Sequence, residues 1–221
     1  MKLAFSIPPP LVNPLLTGTN LLGTQRLITS LKESTLKPVI TRKLMHIISA
    51  PAFMVTWPFY NDNNPELWAT FIPLLMTLLT LNNFQNVNNI ISRSGKKNEL
   101  LGGPFLYSMW LSYFTYDYWN NNSYIGILSM VQLAFGDGFA DLLGRNIKYK
   151  HYWWYNKNKS IEGTLAFIIT SFLGSGIFNH YFEMSKTPEE LIVISLACAL
   201  VETLPFIDDN ISIPLIVILL N

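Results

Sequence analysis

Charge is what this chain has least of. Only 13% of its 221 residues are Asp, Glu, Lys or Arg, about half the share in an average soluble domain. A single cysteine, Cys198, excludes an internal disulfide. Set in an apolar run, it reads as a small buried side chain. A formal net charge of +1 excludes bulk electrostatic attraction for nucleic acid. The glycine-rich phosphate loop ending in GK[ST] is absent. No acid precedes Glu33. With its Ser/Thr content and the Pro8–Pro10 run, the stretch 1–40 reads as an organelle transit segment or a weakly ordered tail.

Apolar residues take the place of the missing charge. Half of the chain is hydrophobic, with six Trp, ten Tyr and fourteen Phe. They gather in seven segments: Leu44–Tyr60, Leu67–Leu81, Leu100–Trp119, Tyr124–Phe135, Gly163–Phe182, Leu191–Phe206 and Ile211–Leu220. A straight bilayer crossing needs roughly 20 residues, with about 17 as the lower end. Tyr124–Phe135 reaches that only by running on through GDGFADLLG. The pattern predicts an all-α polytopic membrane protein of about six to seven transmembrane helices. One integrated membrane domain, 41–221, follows the 1–40 stretch. Fourteen of the fifteen Lys and Arg fall before the first segment or in the 92–99 and 136–162 loops, and only Lys186 lies elsewhere. Basic charge therefore collects on one side of the membrane.

The basic side also carries the polar motifs. FGDGFADLLGR (135–145) ends an apolar helix with Asp137, Asp141 and Arg145 four apart, on one helical face. Two such carboxylates repel unless a cation lies between them. Paired hard oxygens suit Mg²⁺ together with substrate phosphates. Gly136 and Gly138 leave bare backbone on which a ligand could close. The plainer reading is a solvated helix end with an Asp–Arg pair. YNKNKSIEGT (155–164) follows, with Asn158, Lys159 and Ser160 supplying the charge and donors a polyphosphate needs. TRKLMHI (41–47) puts Arg42 and His46 on one face. Glu99 precedes Gly102-Gly103-Pro104. Glu202, inside an apolar run, stands near Asp208, Asp209 and Asn210. An ionisable group in such a run is by default a site candidate.

GDGFADLLGR with YNKNKSIEGTLAF closely resembles the paired signature of the phytol kinase group, within the polyprenol kinase and CTP-transferase superfamily. RKLMH, ELLGGPFLY and VETLPFIDDNISIPL resemble its other elements, in the family's order, over roughly 41–216. The resemblance implies a membrane enzyme that phosphorylates a long-chain isoprenoid alcohol, phytol above all, with CTP as donor and Mg²⁺ as cofactor. It implies that Asp137 and Asp141 hold the metal and that Arg145 and Lys159 contact phosphate, supported by Ser160 and Asn158. Arg42, His46, Glu99, Glu202, Asp209 and Asn210 would line the site. The base that deprotonates the alcohol is left open between His46 and Asp137. The implied partners are the lipid bilayer, the alcohol and a nucleoside triphosphate, and the implied location is a plastid membrane. Gly102 departs from the family, standing where a basic residue is usual. A CTP:phosphatidate cytidylyltransferase-like enzyme and a small membrane transporter are the competing readings.

Overall fold

A computed structural model describes residues 9–61, 64–81, 102–121 and 123–221. Among them the only β feature is an isolated antiparallel bridge between Tyr152 and Ser160. Eight helices carry the described chain: α1 (Pro9–Glu33), α2 (Pro38–Met54), α3 (Pro65–Leu81), α4 (Gly103–Asn121), α5 (Ile125–Asn146), α6 (Ile161–Tyr181), α7 (Pro188–Glu202) and α8 (Asp209–Leu220). A short 3₁₀ turn, Trp57–Phe59, links α2 towards α3.

Local chemistry sets the helix starts. Pro38 and Pro188 occupy first-turn positions that lack an intrahelical N–H partner anyway. Thr187 and Glu190 form a reciprocal capping box: Glu190 N donates to Thr187 Oγ1 (3.2 Å) and Thr187 N to Glu190 Oε2 (2.8 Å). Asp208 caps α8 by accepting from Asn210 N at 2.9 Å.

The segment expected to end at Phe135 or run on does run on, so α5 is one 22-residue helix. A π-helical turn over Gln132–Asp137 interrupts its α geometry. Such a turn carries an extra residue, and π turns gather at functional sites. Each helical residue turns the chain by about 100°, so this insertion resets the direction of Asp137. α5 is also the centre of the bundle, with Ile127, Leu128, Met130, Val131 and Leu133 fully buried. It meets α6 through small residues. A Cβ on Gly144 would lie 3.4 Å from Gly163 Cα, and one on Gly163 would lie 3.3 Å from Ala140 O. Small residues let two backbones approach closely.

Residues 9–33, within the stretch read as tail or transit segment, form α1 and pack on the bundle. Asn13 is fully buried and accepts from Asn61 N at 3.2 Å. Thr17 Oγ1 donates to Trp68 O (3.2 Å), and Asn20 Nδ2 donates to Thr56 Oγ1 (3.0 Å).

Of the six to seven crossings expected, two helices among the described residues are long and apolar enough, α5 and α6. The helices over Pro65–Leu79 and Asp209–Leu220 are apolar but shorter. The exterior is apolar as well. On α6, Leu165, Ile169, Leu173 and Ile177 form an outward stripe, each more than half exposed.

Candidate active site

The polar motifs converge where α2, α5 and the loop after α5 meet. Lys43 of α2 reaches across to α5. Its Nζ lies 2.9 Å from Asp137 Oδ2 and 3.7 Å from Asp141 Oδ2. The cation between the two carboxylates is thus a lysine of the chain. His46, one turn on, has Nε2 at 3.1 Å from Leu133 O and 3.6 Å from Asp137 Oδ2. A carbonyl can only accept, so Nε2 carries the hydrogen. The Tyr107 hydroxyl of α4 donates to His46 O at 2.7 Å, and its ring packs on the imidazole with centroids 4.0 Å apart.

A second cluster comes from the loop 147–160, folded back as a hairpin-like turn. Ile161 N donates to His151 O (2.8 Å) and Trp153 N to Lys159 O (3.2 Å). Side chains pin this turn to the helix ends: Trp153 Nε1 donates to Thr164 Oγ1 (3.0 Å) and Asn156 Nδ2 to Thr203 O (2.8 Å). Lys159 is thereby delivered to Glu202 at the end of α7 and to Asp209 at the start of α8. Its Nζ contacts a Glu202 carboxylate oxygen and lies 2.8 Å from Asp209 Oδ2. Burial opposes the charge on Lys159. The Glu202, Asp209 and Asp137 carboxylates outweigh that penalty and hold its ammonium above the ordinary pKa.

The clusters share one cavity of about 580 Å³, walled by α2, α3, α4, the 156–159 turn and the α7–α8 link. Asp137, Glu202 and Asp209 present carboxylate oxygens within 4.8 Å of one another. Three hard anionic donors fit a small divalent cation. Asn210 Oδ1, a further oxygen from the same wall, is buried without a hydrogen-bond partner. The residues present therefore fit Mg²⁺, and Asp141 Oδ2 is likewise buried without a hydrogen-bond partner. Asp141 turns to Arg145 Nε (2.6 Å) and is not on the cavity wall, and neither is Arg145.

Other expected residues fall out as follows. Arg42, His46, Asn158, Lys159, Asp209 and Asn210 line the cavity. Ser160 caps α6 instead, its Oγ accepting from Gly163 N at 3.1 Å. Gly136 and Gly138 are not open to a ligand: an added Cβ would lie 2.5 Å from the Phe167 ring and 2.4 Å from Ile47 Cγ1. Their bare faces are used for helix packing. Gly102 and Gly103 line the cavity instead, and a Cβ on Gly103 would meet Arg42 and Asn210 at 3.0 and 3.1 Å. Glu99 lies outside the described residues. Sequence reasoning missed Lys43, Asn156 and Tyr107. Lys43 was visible as the second half of Arg-Lys, three residues before His46.

Sequence comparison decides kinship. The chain is 30% identical to phytol kinase 1, chloroplastic, of Arabidopsis thaliana over 206 residues, covering 85% of this chain and 67% of that protein. The chain belongs to the phytol and farnesol kinase family. Other members are farnesol kinase, chloroplastic, of Arabidopsis thaliana (36% over 193 residues; 80% of this chain, 62% of that protein) and probable phytol kinase 1, chloroplastic, of Glycine max (33% over 205 residues; 83% and 66%). The chain spans just under two thirds of the length of most curated relatives cited here. No family model and no solved structure matches it. The cavity is lined by lysines, carboxylates and a histidine and by apolar side chains.

Proposed function

We propose that the chain transfers the γ-phosphoryl group of CTP to the hydroxyl of a membrane isoprenoid alcohol. The observation that carries this reading is the single cavity joining Lys43, Asp137 and Lys159 to the apolar wall of Phe53, Ile72 and Leu111. A prenyl tail favours an apolar site by about 0.8 kcal/mol per methylene, whereas a nucleotide needs charge and water. One cavity with both ends lets each substrate meet its own solvent.

The alcohol oxygen attacks the γ-phosphorus, the bond to the β-phosphate oxygen breaks, and a nucleoside diphosphate leaves. Asp137 takes the hydroxyl proton. It faces the cavity, and His46 Nε2 is engaged by Leu133 O. Lys43 keeps Asp137 ionised and positioned. Lys159 and Arg42 meet the phosphates, a role that needs positioning and charge more than covalent chemistry. Asp137, Glu202 and Asp209 would hold Mg²⁺, which would supply charge neutralisation for the phosphates. The outward apolar stripes on α6 and on α3 (Leu67, Phe71, Leu74, Leu78) support a multi-pass arrangement of six to seven helices with the charged cavity end at the interface. The relatives' chloroplastic names support a plastid membrane.

The test supplies γ-labelled CTP and farnesol, geranylgeraniol or phytol to membranes bearing the chain. Label in a lipid monophosphate is expected. Asp137→Asn should lower that rate by about 100-fold or more, as for loss of a general base. Label in pyrophosphate alone would mean nucleotidyl transfer and defeats the proposal.

A further inference from the structure

The apolar part of the cavity has a measurable depth and a closed floor. α2 forms one long wall: Lys43 and His46 stand at the charged end, then Ser49, then Phe53. At 1.5 Å rise per residue, His46 to Phe53 and Lys43 to Phe53 span about 10 and 15 Å. α4 runs beside it, from Gly103 at the mouth through Tyr107 to Leu111, and α3 adds Ile72 and Met76. Below Phe53 the bundle is filled with aromatics. Phe53 meets the fully buried Trp57 edge-on, with centroids 6.1 Å apart, and Trp57 packs on Tyr118 (5.0 Å) and Trp119 (5.7 Å). A tail that enters from the charged end therefore stops at Phe53.

Length then discriminates. With C–C bonds near 1.5 Å, the extended twelve-carbon backbone of a C15 prenol spans about 14 Å and the sixteen-carbon backbone of a C20 prenol about 19 Å. The first matches the wall measured from Lys43, the lysine beside Asp137, and the second overruns it. We propose that Phe53, backed by Trp57 and faced by Leu111, sets the length limit for the isoprenoid tail, with a fifteen-carbon alcohol the longest that fits extended. This rests on the kinase reading for its substrate but not for its geometry.

The experiment compares geraniol, farnesol and geranylgeraniol, which differ only in length, on the wild-type chain, Phe53→Ala and Leu111→Ala in lipid nanodiscs. Two readouts are taken: kcat/KM for phosphorylation, and stabilisation of the chain against heat by each alcohol. The wild type should favour C15 over C20 by about tenfold, the penalty of forcing extra methylenes into a packed wall. Both variants should bring C20 level with C15 or ahead of it. A wild type that handles C20 as well as C15, or a ratio unmoved in both variants, overturns the length limit. If no alcohol is phosphorylated yet C15 stabilises the wild type most and Phe53→Ala shifts that to C20, the kinase reading fails and the length limit stands. Equal stabilisation by all three alcohols, with no turnover, sinks both.

Discussion

Replacing Lys159 by Met tests whether the second cluster is held by charge. The ammonium sits between Glu202 and Asp209, with its own side chain 24% exposed and that of Glu202 only 5%. Without it, three carboxylates remain within 4.8 Å of one another. At that separation each pair repels by about 3–4 kcal/mol at an effective dielectric of about 20. Removing one partner of a buried ion pair typically costs about 3–5 kcal/mol. Lys159 keeps some contact with water, which lowers the expectation to about 2–4 kcal/mol. For a chain of this size that is a fall in Tm of about 5–12 °C, read by thermal unfolding in detergent. Adding Glu202→Gln removes one of the opposed charges and should restore half or more of the loss, while turnover stays low because no lysine meets the phosphate. Unchanged stability in Lys159→Met, or a double variant no better than the single one, would refute the electrostatic account.

Other outcomes follow from single contacts. Because its partners raise the Lys159 pKa, its stabilisation is complete below the ordinary value of 10.5 and is lost only as pH rises through the higher folded value. In the wild type the Lys159 contribution should thus persist up to about pH 9 and fade only in stronger alkali, read as Tm against pH. Gly138→Ala drives a methyl to 2.4 Å from Ile47 Cγ1 and should cost about 1–3 kcal/mol of unfolding free energy, partly recovered by Ile47→Ala, which removes that Cγ1. Ser160→Ala removes the α6 cap and should cost about 1 kcal/mol with turnover nearly unchanged. A large loss of turnover at normal stability would return Ser160 to the phosphate site.

Much of the site was legible before any folding was known. Asp137, His46, Lys159, Asp209 and Asn210 announce themselves because polar groups in an apolar chain are costly and therefore sparse. The helical character of α5 and α6 was equally plain, being a matter of composition and length. Pairings across the chain were not legible. The spacing of Asp137 and Asp141 matched them to each other, since i and i+4 share a face in a regular helix. They do share a face, but the cation between them is Lys43 of the neighbouring α2, which no spacing within α5 could reveal. Gly136 and Gly138 looked open because a sequence shows a missing side chain but not the Phe167 and Ile47 that fill its place.

The sequence by itself determined the class of molecule and the inventory of its chemistry. Hydropathy, the clustering of lysine and arginine in a few segments, and the rare acids are one-dimensional properties fixed by solvation. Only the tertiary structure decided that Lys43 bridges Asp137 and Asp141, that Lys159 joins Glu202 to Asp209, and that residues 9–33 pack as α1. Each of these joins residues far apart in the chain, or is set by a turn that departs from the regular helix. Local periodicity carries no information about which helix faces which.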